Sequence, residues 1–130
     1  MSWNDEYNVG VAMIDQQHKK LFALIDKLDE CLGGQVQKSD IATVVSSLVR
    51  YMQAHLLTEE RLMLRHGYQD YEQHKQEHDA FTRSVLQFDL RSSEPSMAKD
   101  LHDFLIAWWK NHILVTDKRY SPFFARKGIR

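Results

Sequence analysis

The side chains in this sequence best able to do chemistry are imidazoles. Seven histidines occur in 130 residues, beside a single cysteine. Five of them fall on apolar stripes at helical spacing: His18 with Phe22 and Ile25, His55 with Leu48 and Met52, His74 and His78 between Tyr71 and Phe81, and His112 with Leu105 and Trp108. Glu59 follows His55 at i+4 and shares its face. Burying such groups among Leu, Ile and Phe without partners costs on the order of 1–3 kcal/mol each. They must therefore satisfy something. Neutral imidazole together with carboxylate is a ligand set for divalent metal ions. The competing reading is a histidine-rich core without metal.

Four elements must position these groups. Gly and Pro fall at Gly10, Gly33–Gly34, Gly67, Pro95, Pro122 and Gly128, and they leave four long intervals of helical pattern with nothing that reads as a strand. An irregular N-terminal arm covers roughly residues 1–14. Asp15 is expected to cap a first helix with Leu21, Phe22, Ile25, Leu28 and Leu32 inside, ended by Gly33. Ser39–Asp40 is expected to cap a second, with Ile41, Val44, Val45, Leu48, Met52, Leu56 and Met63 inside and Gly67 as its stop. A third is expected from about Gln69 to Leu90, on Tyr71, Phe81, Val85 and Phe88. The fourth starts near Ser93 or Pro95 and carries Leu101, Leu105, Trp108 and Val115. Short connections force neighbours antiparallel, so the expected fold is all-α: an up-down-up-down four-helix bundle with a short C-terminal extension, forming one domain over residues 1–130.

In such a bundle, depth along the axis is counted from each loop. His18 lies about 15 residues before the first loop and His55 about 16 after it; across the other two connections His55, Glu59, His74, His78 and His112 match similarly. All four helices thus place ligands in one layer. Five imidazoles and a carboxylate exceed what one tetrahedral zinc uses, whereas two six-coordinate ions could use them all. Two such ions need a bridge. Glu59 is one candidate and Asp117 the other, although five residues from His112 correspond to about 140° on a regular helix. The fourth helix must therefore loosen or end near Val115–Thr116. Glu60, rotated by about 100° from Glu59, is expected to take no part. His66, about 16 Å along from His55, and His102, about 15 Å from His112, are read as helix-end or surface residues.

The bulk numbers exclude several classes. Lys and Arg number 17 against 18 Asp and Glu, so no field exists to hold a nucleic acid. No apolar run is long enough to span a membrane. The acidic N-terminus does not read as a secretory signal, and with Cys31 alone no internal disulfide forms, so a cytoplasmic location is expected. Cys31 is read as incidental. Phe123 and Phe124 are expected to dock onto the bundle, leaving a frayed basic end.

At these residues the sequence resembles the hemerythrins, the single-domain bacterial form in particular. The likeness runs from Trp3 to about Phe124. It rests on Asp15-Gln16-Gln17-His18-Lys19, His55-Leu56-Leu57-Thr58-Glu59-Glu60, Gly67-Tyr68, His74-Lys75-Gln76-Glu77-His78-Asp79, and Trp108 followed by Asn111-His112-Ile113 and Asp117-Lys118. The resemblance implies two non-haem irons: one held by His74, His78 and His112, the other by His18 and His55. Glu59 and Asp117 would bridge them, with an oxo or hydroxo as third bridge. The two-histidine iron would keep a vacant position for dioxygen, bound reversibly by a carrier, store or sensor without enzymatic turnover. Iron itself is implied by the resemblance, since ligand type does not choose it over manganese, cobalt or zinc. One departure is Leu56, where the family usually has an aromatic residue.

Two other functions compete with this one. A di-iron oxidase or peroxidase usually relies on a carboxylate-rich set with Glu-x-x-His pairs, a pattern missing here. An iron buffer would need neither bridges nor a vacancy. The expected partners are dioxygen and an unidentified protein acceptor of oxygen, and the expected state is a monomer.

Overall fold

The computed structural model describes residues 3–34, 38–91 and 94–130, with the backbone alone for Lys38, Ser39 and Asp40. Four antiparallel helical segments form the bundle: α1 (Ala12–Gly33), α2 (Lys38–His66), α3 (Tyr71–Asp89) and α4 (Met97–Asn111). The last continues through a π-helical turn, His112–Asp117, into α5 (Lys118–Arg126). α1 packs against α2 and α4, and α3 packs against the same two. Among the described residues there is no strand.

The helix boundaries depart from expectation in instructive ways. α1 begins three residues before Asp15, at Ala12 after the extended Val11. Asp15 therefore caps nothing from the N-cap position. Its carboxylate instead accepts from the backbone N–H groups of Val9 (2.7 Å) and Gly10 (3.3 Å), which ties the arm down onto the helix. Capping of α2 by Ser39 and Asp40 depends on side chains outside the described residues, and Ser93 also lies outside them. α3 starts at Tyr71 rather than Gln69, and α4 at Met97, beyond Pro95.

Gly67 stops α2 as its residue type requires. With φ at +75° it lets its own N–H reach the Leu64 carbonyl (3.3 Å) and that of Tyr68 reach the Met63 carbonyl (2.9 Å), a Schellman closure. The same closure at Gly128 joins Ile129 N–H to the Phe124 carbonyl at 2.9 Å. The basic tail is thus tied rather than frayed, because Ile129 packs beside the buried Phe124. Pro122, expected as a break, sits inside α5.

Two apolar clusters stack along the axis. The larger includes Leu21, Phe22, Ile25, Leu28, Leu48, Met52, Leu56, Phe81, Val85, Leu101, Leu105, Trp109 and Ile113. The smaller joins Val9, Val11, Ile14, Met63, Tyr68, Tyr120 and Phe124 at the Gly67 end. Along α1, His18 falls between Ile14 and Leu21; along α2, His55 and Glu59 fall between Met52 and Met63. The polar layer is therefore sealed by hydrocarbon on both sides. Trp109 is the fully buried tryptophan and Trp108 only partly so; Trp109, four residues beyond Leu105, takes the inward position, and its indole N–H donates to Met52 Sδ at 3.3 Å. Val115, expected inside, is exposed because the wide turn carries it outward.

Candidate metal centre

The π turn resolves the difficulty of Asp117. Hydrogen bonding from i to i+5 widens the helix, so that residues five apart share a face. His112 and Asp117 mark the ends of this turn, and both are buried. The helix loosens where the spacing required it, and then continues instead of ending.

All seven expected residues meet in the sealed layer, each at most 3% exposed. His18 Nε2 lies 3.2 Å from Asp117 Oδ2, while His74 Nε2 and His112 Nε2 lie 3.1 and 3.0 Å from Asp117 Oδ1. His55 Nε2 lies 3.1 Å from Glu59 Oε1, and His78 Nε2 lies 3.7 Å from the same oxygen. Asp117 thus presents one oxygen to each side, whereas Glu59 turns Oε1 toward both. The atoms form two groups that share these carboxylates: Glu59, His74, His78, His112 and Asp117 in one, His18, His55, Glu59 and Asp117 in the other. His66 and His102 lie apart, the first against Phe124 and the second beside Asp29 and Asp103.

These contacts are near without being hydrogen bonds. The Nε2 atoms of His18, His55 and His74, Glu59 Oε1 and both Asp117 oxygens are buried with no hydrogen-bond partner among the described residues. Such orphans are costly in a dry core. Their spacing explains them. Two ligands at right angles on an ion with bonds of about 2.1 Å sit about 3.0 Å apart. Apart from His78 Nε2 and His112 Nε2, which lie within hydrogen-bond distance at 3.1 Å, the atoms point at common centres rather than at one another, so the residues present fit a pair of ions.

The electrostatics call for positive charge. Burial and Asp117 both work to raise Glu59, yet His55 and His78 outweigh them and hold it at about 2. Burial likewise opposes the charge on Asp117, but His112, His18 and His74 keep it well below the usual carboxylate range. Two ionised carboxylates therefore sit in hydrocarbon. In the metal-free protein the answering charge falls on His112: burial opposes its protonation, but Asp117, Glu77 and Glu59 raise it to about 10. His55 is lowered, chiefly by burial.

Outer partners orient the rings, and sequence reasoning missed them. Gln17 Oε1 accepts from His55 Nδ1 (2.6 Å), Glu60 Oε2 from His78 Nδ1 (2.8 Å) and Glu77 Oε2 from His112 Nδ1 (3.3 Å). Each holds a ring proton on Nδ1 and turns Nε2 inward, where a metal ion takes its lone pair. A pattern runs through them: a residue adjacent to one helix's ligand backs the histidine of the next helix. Glu60, expected to be a bystander, is corrected here, since rotation away from its own helix's site aims it at α3. Tyr120, fully buried, donates to Glu59 Oε2 at 2.5 Å and stacks on His74. Burial and the two carboxylates push its phenol well above its ordinary range, so it stays a donor. The signal in the sequence is a polar residue next to a ligand on each of the first three helices, as in Gln17-His18, Glu59-Glu60 and Glu77-His78.

Aromatic rings close the two-histidine side. Trp109 lies 6.4 Å from the His18 ring and 5.7 Å from that of His55. The N-terminal arm adds Trp3, 6.5 Å from His18 and packed edge-on against Phe22. Leu56 faces α3, lining with Met52, Phe81 and Val85 a hollow of about 10 Å³.

An antiparallel bundle with a sealed, histidine-rich pair of ligand groups on shared carboxylates defines a class of binuclear metal proteins. Comparison with known proteins agrees: the sequence profile of the hemerythrin HHE cation binding domain matches residues 9–124. The bacteriohemerythrin of Clostridium acetobutylicum is 34% identical over 91% of this chain and 96% of its own length. That of Methylococcus capsulatus is 32% identical over 94% and 95%. A crystal structure of wild-type hemerythrin superposes with a TM-score of 0.85 at 32% identity, covering 94% of this chain and 95% of that one. The chain belongs to the hemerythrin family.

Proposed function

We propose that this protein binds dioxygen reversibly at a non-haem di-iron centre, as a carrier, store or sensor rather than an enzyme. His74, His78 and His112 would hold one iron and His18 and His55 the other, with Glu59 and Asp117 shared and an oxo or hydroxo bridge between. The observation that carries this reading is the convergence of buried, unpartnered Nε2 and carboxylate oxygen atoms into two groups sharing the same two carboxylates. When bound, the iron pair supplies the two electrons on which reversible oxygen capture turns.

The chain's own residues do the rest. Gln17, Glu60 and Glu77 hold proton and tautomer on the far nitrogens. Tyr120 fixes the free oxygen of Glu59. Trp3, Phe22 and Trp109 exclude water on the side with fewer ligands, which slows proton delivery and so keeps the reaction reversible. The donor set of five imidazoles and two carboxylates is neutral and histidine-rich, unlike the carboxylate-rich sets of di-iron oxidases. Among the described residues no helix is long and apolar enough to cross a membrane, and the reading includes a cytoplasmic monomer folded as one domain.

The test is stoichiometry. Protein purified after expression with ample iron is expected to carry two irons per chain by elemental analysis. One metal per chain, or zinc alone, contradicts the proposal.

A further inference from the structure

The partners behind the inward-facing imidazoles are not alike. His78 and His112 donate to the carboxylates of Glu60 and Glu77. His55 meets only the neutral amide of Gln17, and His18 Nδ1 is buried with no partner among the described residues. The difference sorts by side. Both carboxylate-backed imidazoles belong to the group containing His74, whose own Nδ1 has no hydrogen-bond partner among the described residues, while the amide-backed His55 and the unbacked His18 form the other. A carboxylate accepting from Nδ1–H raises the basicity of Nε2 and places negative charge behind the ligand; an amide does much less.

Resting on the two-ion reading above, we infer that the chain takes up its ions in a fixed order set by these partners. The position framed by His74, His78 and His112 fills first and empties last. The position framed by His18 and His55 exchanges with ferrous iron in the medium. Because oxygen capture needs both ions, the weaker step makes capture answer to iron supply. The number of imidazoles on each side favours the same order, so only swapping the partners separates the two causes.

The experiment is anaerobic titration of the metal-free chain with ferrous iron, and in parallel with cobalt(II) as a visible-absorbing probe, followed by withdrawal with a chelator. Two binding steps and a two-phase release are expected. Gln17→Glu is expected to strengthen the second step by about 10-fold while leaving the first nearly unchanged, and Glu60→Gln to weaken the first by about 10- to 100-fold. A single cooperative two-ion step in the unaltered chain overturns the ordering. A second step unmoved by Gln17→Glu overturns the cause assigned to it. Saturation at one ion instead overturns the two-ion reading itself, and stoichiometry tells that failure from the others.

Discussion

Among the described residues, Asp117 and Glu59 differ from every other acid in carrying their charge at zero exposure. Removing either is expected to be more damaging than removing a histidine, because each touches both ligand groups. Asp117→Ala or Glu59→Ala should lose the paired centre, leaving close to zero or one iron per chain. Glu60→Ala is expected to keep both irons but to release the one framed by His74, His78 and His112 about 10- to 100-fold more readily, since His78 loses its orienting partner. Iron content and chelator release rates measure both; loss of the whole pair in Glu60→Ala would show that it is a ligand. The seven inward residues could be read from the sequence because each repeats its helix's apolar period. The outer partners Gln17, Glu60 and Glu77 leave only a faint sign, their place next to a ligand, since each lies off that period and acts on a neighbouring helix. Tyr120 was hidden for another reason: its place depends on how the chain leaves the π turn.

The π turn is the element on which the site depends. The sequence demanded a loosened helix from one fact, the five-residue gap between His112 and Asp117. It gave no sign that the helix would resume as α5, because Pro122 read as a break. A π turn is an α-helix with one residue inserted, which leads to a counter-intuitive expectation. Deleting the exposed Leu114 brings His112 and Asp117 to i,i+4, still on one face, so the variant should keep both irons. Inserting one alanine at the same place should turn Asp117 away and lose the pair while helicity by circular dichroism is preserved. The opposite ranking of the two variants would contradict the π-turn reading. The arm shows the converse limit. Its irregularity was legible, but the use of Asp15 to hold it and of Trp3 to cover His18 emerged only from packing.

For the molecule as a whole, the buried charges couple folding to pH and to metal. Without metal, His112 holds its proton up to about 10 in the folded chain, whereas in the unfolded chain it releases it near 6.5. That contribution is complete below pH 6.5 and lost as pH rises toward 10. Glu59 works in the other direction: held at about 2 against an ordinary 4.5, it stabilises above pH 4.5 and less as pH falls toward 2. His55, lowered by burial, adds to the loss on the acid side below 6.5. The metal-free chain is therefore expected to melt highest near pH 6.5 and to lose stability toward both sides. Loading with metal, which displaces the proton from His112, should remove the alkaline decline. Melting temperatures of both forms across pH 4 to 10 test this, and an alkaline arm equally steep in the loaded protein would contradict it.

The most direct test is the visible spectrum of the iron-loaded protein through repeated cycles of oxygenation and oxygen removal. A centre with one open position behind Trp3 and Trp109 is expected to develop a visible charge-transfer band on oxygenation and to lose it when oxygen is withdrawn, cycle after cycle. His18→Ala and His112→Ala should each abolish the band, by disabling opposite sides of the pair. A band that never forms with two irons bound, or one that bleaches irreversibly within a cycle and faster with a reducing substrate, would contradict reversible oxygen binding.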